Sequence, residues 1–212
     1  MKTVLLVTGG KTSKELLLEA IERYNPLYLI GADSGLKIFH ESGIEPDLCI
    51  GDFDSLNEEL AKYYKSFDNT VLLKPEKDFT DTEVAVEKII DMNPDRVVIL
   101  GATGTRIDHT MANISLLKRF CDAGIEAYII DANNRIRVIT EPVTLRKDAY
   151  DFISLMPLGD KVTGLTLSGF KYDVSDIMLT HGVSLGISNE IVKEEASINF
   201  SEGYLILMET ID

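Results

Sequence analysis

The feature that most constrains the fold is a rhythm. From residue 3 to about residue 132, short apolar runs alternate with longer segments of helical period. The runs are Thr3–Thr8, Leu27–Gly31, Asp47–Gly51, Thr70–Leu73, Arg96–Gly101 and Ala127–Asp131. Between them, Ser13–Tyr24 sets Leu16, Leu17, Ala20 and Ile21 on one helical face, with Ser13 placed to cap. Thr80–Asp91 carries apolar Val84, Ile89 and Ile90, and acidic residues in its first turn, where the helix dipole favours them. A third helix is expected from about His109 to Ala123, stopping at Gly124.

After Asn133-Asn134 the rhythm changes. Ile136–Thr140, Val143–Arg146, Phe152–Met156, Thr163–Leu167, Ile177–Thr180, Ala196–Phe200 and Tyr204–Met208 are all short and strand-like, punctuated by Pro and Gly, with no amphipathic helix among them. The expected architecture is therefore α/β: a mostly parallel, Rossmann-like layered sheet with helices over residues 1–134. A smaller all-β antiparallel sandwich is expected over residues 135–212. The short boundary predicts two domains packed together.

Composition narrows the function. The chain has 35 acidic against 21 basic residues and a formal net charge of −14. Such a surface repels phosphate backbones, and Lys and Arg are nowhere concentrated, so no nucleic-acid partner is expected. It favours cations, whether a metal ion or a positively charged small molecule. Two cysteines, Cys49 and Cys121, cannot make a disulfide framework or a zinc knuckle, and their apolar neighbours predict buried free thiols. The opening run is too short for a signal peptide, and no stretch approaches a membrane span, so a cytoplasmic protein with no membrane partner is expected.

Ligands of open α/β sheets bind outside the carboxyl ends of the strands. Four successive strand ends here carry aspartate: Gly31-Ala32-Asp33-Ser34-Gly35, Gly51-Asp52-Phe53-Asp54-Ser55, Lys74-Pro75-Glu76-Lys77-Asp78-Phe79-Thr80-Asp81 and Gly101-Ala102-Thr103-Gly104-Thr105-Arg106-Ile107-Asp108-His109. A lone Asp there is ordinarily a helix cap. Asp52 and Asp54 differ, because on an extended turn both carboxylates point one way and Phe53 the other. Converging carboxylates repel unless a cation lies between them, and magnesium, a hard ion taking oxygen ligands, suits that place. Asp78 and Asp81 add to it.

The Gly101–His109 loop is rich in small residues and leads into a helix, so its amides suit an anion. Arg106 is the natural fork for a phosphate, with Lys11, Lys74 and Lys77 as point charges. The chain has no Walker sequence, no G-x-G-x-x-G and no G-x-S-x-G elbow. His40, His109 and His181 lack metal spacing; His40 is expected on an exposed helix turn and His109 near a site. Gly186-Ile187-Ser188-Asn189-Glu190 reads as a polar turn, and Tyr150, Tyr172 and Tyr204 as sheet-packing residues.

Taken in order, these motifs resemble those of thiamin pyrophosphokinase: Gly31–Gly35, Pro46–Ser55, Lys77–Asp81 and Gly101–His109, followed by Ser188-Asn189-Glu190 of the bacterial form. The resemblance spans essentially the whole chain and is strongest over residues 31–113. It implies an ATP:thiamin diphosphotransferase, magnesium-dependent and releasing AMP. It also implies a homodimer whose site is assembled between subunits, with the β domain helping to form the thiamin site. By motif, Asp52, Asp54 and Asp81 would be the magnesium and phosphate-handling carboxylates, with Asp33 and Asp78 as further catalytic residues close by. Thr103, Arg106, Asp108 and Asn134 would serve the nucleotide, and Ser188 and Asn189 would face thiamin. Thr105 stands where bacterial relatives often have glycine, and Met111 where leucine is usual. The chain has no tryptophan, the residue eukaryotic relatives set beside thiamin. A diphosphotransferase for another hydroxymethyl acceptor such as a pterin, a magnesium-dependent phosphohydrolase, and a non-catalytic sensing module are the competing readings.

Overall fold

Six of the apolar runs become parallel strands in the computed structural model, which describes residues 1–74 and 78–212; statements of number or absence concern those residues. The strands are β1 (Thr3–Val7), β2 (Tyr28–Ala32), β3 (Leu48–Gly51), β4 (Thr70–Leu72), β5 (Arg96–Leu100) and β6 (Glu126–Ile130). The helices are α1 (Lys14–Tyr24), α2 (Leu36–Ser42), α3 (Glu58–Lys65), α4 (Asp81–Asp91) and α5 (Ile107–Asp122). They belong to a compact unit, Met1–Ala132.

Burial on both sides explains why the pattern along these strands is continuous instead of alternating. Leu5 and Val7 of β1 pack in one cluster with Leu17 of α1, Leu36 and Phe39 of α2 and Leu60 of α3. Val4 and Leu6, their alternates on the strand, are equally buried, and α4 rests on β2 and β3 while α5 rests on β6. Ser13 caps α1 as expected, its Oγ accepting from Leu16 N–H at 3.2 Å. At only seven and eight residues, α2 and α3 are too short for periodicity to announce. Cys49 is buried as expected, whereas Cys121 is only half-buried on α5.

Sheet order in this unit is β4-β3-β2-β1-β5-β6. The chain winds outward from β1 to β4 and then returns to lay β5 on the other side of β1. Loops leaving β1 and β5 therefore depart at the switch point, where a doubly wound sheet opens its ligand crevice.

The second unit, Asn133–Asp212, contains only strands. They are β7 (Asn134–Ile139), β8 (Val143–Arg146), β9 (Phe152–Pro157), β10 (Lys161–Ser168), β11 (Val174–Thr180), β12 (Glu195–Asn199) and β13 (Leu205–Thr210). β7, β13 and β9 run antiparallel side by side, and β11-β10-β12-β8 form a second antiparallel sheet. Ile153, Leu155, Leu205 and Leu207 of the first set share one core with Val162, Leu165, Leu167 and Ile198 of the other. Two sheets closing on one core is the sandwich that the alternating apolar positions predict.

Candidate functional site

Two strand ends and one helix start of the first unit converge. Asp33 follows β2, Asp52 follows β3 and Asp81 opens α4, and one carboxylate oxygen from each lies within 4.8 Å of the others. Local structure aims them. Asp33 opens a short 3-10 turn, Asp33–Gly35, in a left-handed conformation (φ 47°). Asp81 is held at the first position of α4 because Thr80 caps that helix, its Oγ1 accepting from Glu83 N–H at 3.1 Å.

The turn after β3 is not extended. Phe53 has φ 65° and buries its ring in the core, and Asp54 N–H donates back to Asp52 Oδ1 at 3.1 Å. Asp52 is thereby turned inward while Asp54 is exposed. Ser55 ties the pieces together, its hydroxyl 3.1 Å from both Asp54 Oδ1 and Asp33 Oδ2. Asp33 Oδ1 is buried with no hydrogen-bond donor. Three converging carboxylates, one with an unmatched buried oxygen, form an all-oxygen donor set that suits a hard divalent cation. Asp78 lies exposed just before α4; Lys77 falls outside the described residues.

Beside this group stands the loop after β5. Asn113 Nδ2 of α5 donates to Ala102 O at 2.8 Å, and Thr103 Oγ1 to Asp131 Oδ2 at 2.7 Å. Lys11 N–H donates to Thr103 O at 2.7 Å. The loop is thus pinned from α5, from beyond β6 and from the end of β1. Arg106 and Asp108 are exposed and paired through two nitrogens, at 3.2 and 2.5 Å. The guanidinium holds the Asp108 carboxyl down at about 2, and Asp108 raises Arg106 in return. His109 is exposed in the first turn of α5, and His40 is exposed on α2.

The remaining residues that the sequence nominates lie in the second unit. Asn134 opens β7, in register with Thr210. Ser188 is exposed in a left-handed conformation (φ 55°), its N–H donating to Ser154 Oγ at 3.0 Å. Asn189 is buried, and its side chain is engaged by backbone: Oδ1 accepts from Tyr172 N–H at 3.1 Å and Glu190 N–H at 3.0 Å, and Nδ2 donates to Tyr172 O at 2.9 Å. Tyr172 is the correction here. It is 61% exposed, so it does not pack the sheet, and Asn189 fixes its backbone from both sides. Nothing in the local sequence distinguishes it from Tyr150 or Tyr204, both half-buried; the signal lies 17 residues away in Asn189.

Residues 23–129 match the model of the thiamin pyrophosphokinase catalytic domain, and residues 140–205 that of the thiamin pyrophosphokinase vitamin B1 binding domain. The thiamine pyrophosphokinase of Bacillus subtilis (strain 168) is 33% identical over 215 residues, covering all of both chains. Thiamin pyrophosphokinase 1 of Caenorhabditis elegans is 26% identical over 77% of this chain and 70% of its own. Among solved structures, the Bacillus subtilis thiamine pyrophosphokinase superposes with a TM-score of 0.88 at 31% identity, covering both chains fully. That of Geobacillus thermodenitrificans gives 0.84 at 30%, covering 99% of this chain and 98% of its own. With both domain models matched in order and a relative aligned end to end, this chain belongs to the thiamin pyrophosphokinase family.

Proposed function

We propose that the chain transfers a pyrophosphoryl group from ATP to the hydroxyl of thiamin, releasing thiamin diphosphate and AMP. The observation that carries this reading is the convergence of Asp33, Asp52 and Asp81 beside a pinned, anion-suited loop at the switch point of a sheet whose relatives are thiamin pyrophosphokinases.

Pyrophosphoryl transfer asks the protein mainly to position two substrates in line and to accommodate charge, with little covalent work of its own. Magnesium fits the donor set, and Asp33, Asp52 and Asp81 would hold it with Asp54 alongside; bound, it would neutralise charge on the triphosphate oxygens. Without a cation the same carboxylates repel ATP. Arg106 supplies a planar fork for phosphate oxygens once it leaves Asp108, and Thr103 fixes the loop that carries it. Asp78, at the mouth of α4, and Asp108 and Asn134 complete the proposed set on the catalytic and nucleotide sides. Ser188 offers an exposed hydroxyl, its backbone held by Ser154, and Tyr172 a ring for the aromatic cation, its backbone held by Asn189. The acidic composition favours a cationic acceptor.

The reading carries a homodimer with the thiamin site shared between subunits, working in the cytoplasm. In support, the segment from Met178 to Val192 exposes Met178, Val183, Leu185, Ile187 and Val192, more apolar surface than a solvated stretch ordinarily shows.

A coupled product assay tests the reaction, with purified protein, magnesium, ATP and thiamin, and with AMP and thiamin diphosphate quantified together. Equal yields, dependent on thiamin and abolished by chelator, are expected. AMP or ADP formed without thiamin would mark a phosphohydrolase instead. Metal-dependent nucleotide binding without product would send the search to other acceptor alcohols.

A further inference from the structure

Gly9 and Gly10 follow β1 and belong to none of the motifs that carry the site. Neither has a left-handed φ, so the backbone conformation does not require glycine at either. Space does. A Cβ on Gly9 would stand 2.2 Å from Ser34 Oγ and 3.5 Å from Asp33 Oδ2. A Cβ on Gly10 would stand 2.3 Å from both Gly101 O and Thr103 O. Adjacent residues of one turn thus press against two different loops, the one that carries Asp33 and the one that carries Thr103 and Arg106.

Both contacts are fastened. Ser34 Oγ lies within hydrogen-bond reach of Gly9 O (3.3 Å) and Asp33 Oδ2 (3.4 Å). On the other side, Gly10 N–H donates to Gly101 O at 2.7 Å and Thr8 Oγ1 to the same oxygen at 2.6 Å. The approach is mutual, since a Cβ on Gly101 would fall 2.3 Å from Thr8 O. Loops that leave β1 and β5 at a switch point would ordinarily diverge; here they are zipped together.

We propose that Gly9-Gly10 is a positioning element: a step without side chains that sets how far the carboxylate group stands from the nucleotide loop. The proposal rests on the pyrophosphoryl-transfer reading, in which metal and triphosphate must meet at a fixed separation, and displacement of about 1 Å can cost up to a hundredfold in rate.

The two glycines predict different failures. Carbonyl oxygens of Gly101 and Thr103 cannot rotate away, so Gly10→Ala must part the two loops. It is expected to raise KM for ATP roughly tenfold and to weaken a non-hydrolysable ATP analogue in calorimetry, while Mn2+ binding without nucleotide stays at the wild-type value. Ser34 can rotate, but only by leaving Gly9 O and Asp33. Gly9→Ala is therefore expected to weaken Mn2+ binding, read by electron paramagnetic resonance, and to lower kcat with KM for ATP unchanged at saturating metal. Gly9→Ala combined with Ser34→Ala removes the clashing oxygen and should recover Mn2+ affinity to that of Ser34→Ala alone. Wild-type KM and analogue affinity in a folded Gly10→Ala protein would overturn the proposal. Should that variant not fold, the Gly9 pair decides, because unaltered Mn2+ binding in Gly9→Ala, or no recovery in the double variant, overturns it equally. Absence of thiamin diphosphate from the wild-type protein would strike the reaction, and the metal and nucleotide affinities of the variants would still report on the spacer.

Discussion

Asp33 and Phe53 both occupy left-handed backbone, at a cost of about 1 kcal/mol or more for a residue with a side chain. Burial of the Phe53 ring and the hydroxyls around Asp33 hold them there, and the result is a set of carboxylates closer together than charge alone would allow. Asp52→Asn should therefore leave melting temperature without metal equal or higher, since repulsion is relieved. The same variant should lose the stabilisation that magnesium gives the wild type, and turnover should fall by at least about a hundredfold; melts with and without magnesium, set beside the product assay, check both. Asp108 offers a titration. Its folded pKa is held at about 2 by Arg106, below the ordinary carboxylate value, so its contribution to stability is present above the unfolded pKa and is lost as pH falls through the folded one. Carboxyl chemical shifts should give a midpoint near 2, returning to the ordinary range of about 4 in Arg106→Ala and rising with salt, because the pair is exposed. At this scale the sequence announced which residue types gather at strand ends. It did not announce that Asp33 joins Asp52 and Asp81 while Asp54 faces out, because that turns on the φ of Phe53, a choice made by packing the ring.

Among elements, α4 shows how a cap can serve a site. Thr80 satisfies an orphan N–H of the first turn, and in doing so fixes the residue after it, Asp81. Thr80→Ala should lower stability by about 1 kcal/mol and raise the magnesium concentration needed for half-maximal activity, with Thr80→Ser restoring both; denaturant melts and a magnesium titration are the measurements. Strands and the three long helices were legible because their periods run long enough to be read. The seven strands of the second unit were legible for the same reason, helped by Gly and Pro between them. What could not be read was order across the sheet. Nothing local in Thr8–Lys11 says that β5, some ninety residues on, will be its neighbour, and so the step at Gly9-Gly10 is legible only in the fold. The place of Tyr172 is hidden for a like reason, since its backbone is fixed by a carboxamide contributed from a later turn.

Across the molecule as a whole, acidic residues outnumber basic ones 35 to 21, and one buried cation shows how such a chain pairs its charge. In the second unit Arg135 of β7 faces Glu209 of β13 in register, with two contacts of 2.6 Å, and Tyr150 lies 4.9 Å beneath the guanidinium. Asp148 adds a third contact at 3.2 Å. Glu209, chiefly, raises Arg135 above its ordinary value. Because the Arg135 side chain is only 16% exposed, Glu209→Ala leaves a largely buried cation with Asp148 as its remaining acidic partner and should destabilise by up to about 3 kcal/mol; replacing Arg135 and Glu209 together by apolar residues should cost much less, and equilibrium unfolding of the set is the check.

Strand β13 sits between β7 and β9 although it is made after both. During synthesis those two strands must wait, apolar faces uncovered, until Leu205–Thr210 has left the ribosome, because nothing earlier can fill the gap between them. The first unit, whose strands all precede residue 132, has no such wait. Strand order therefore sets an order in time: the half that carries the aspartates has all its strands in hand while its sister is still an open edge.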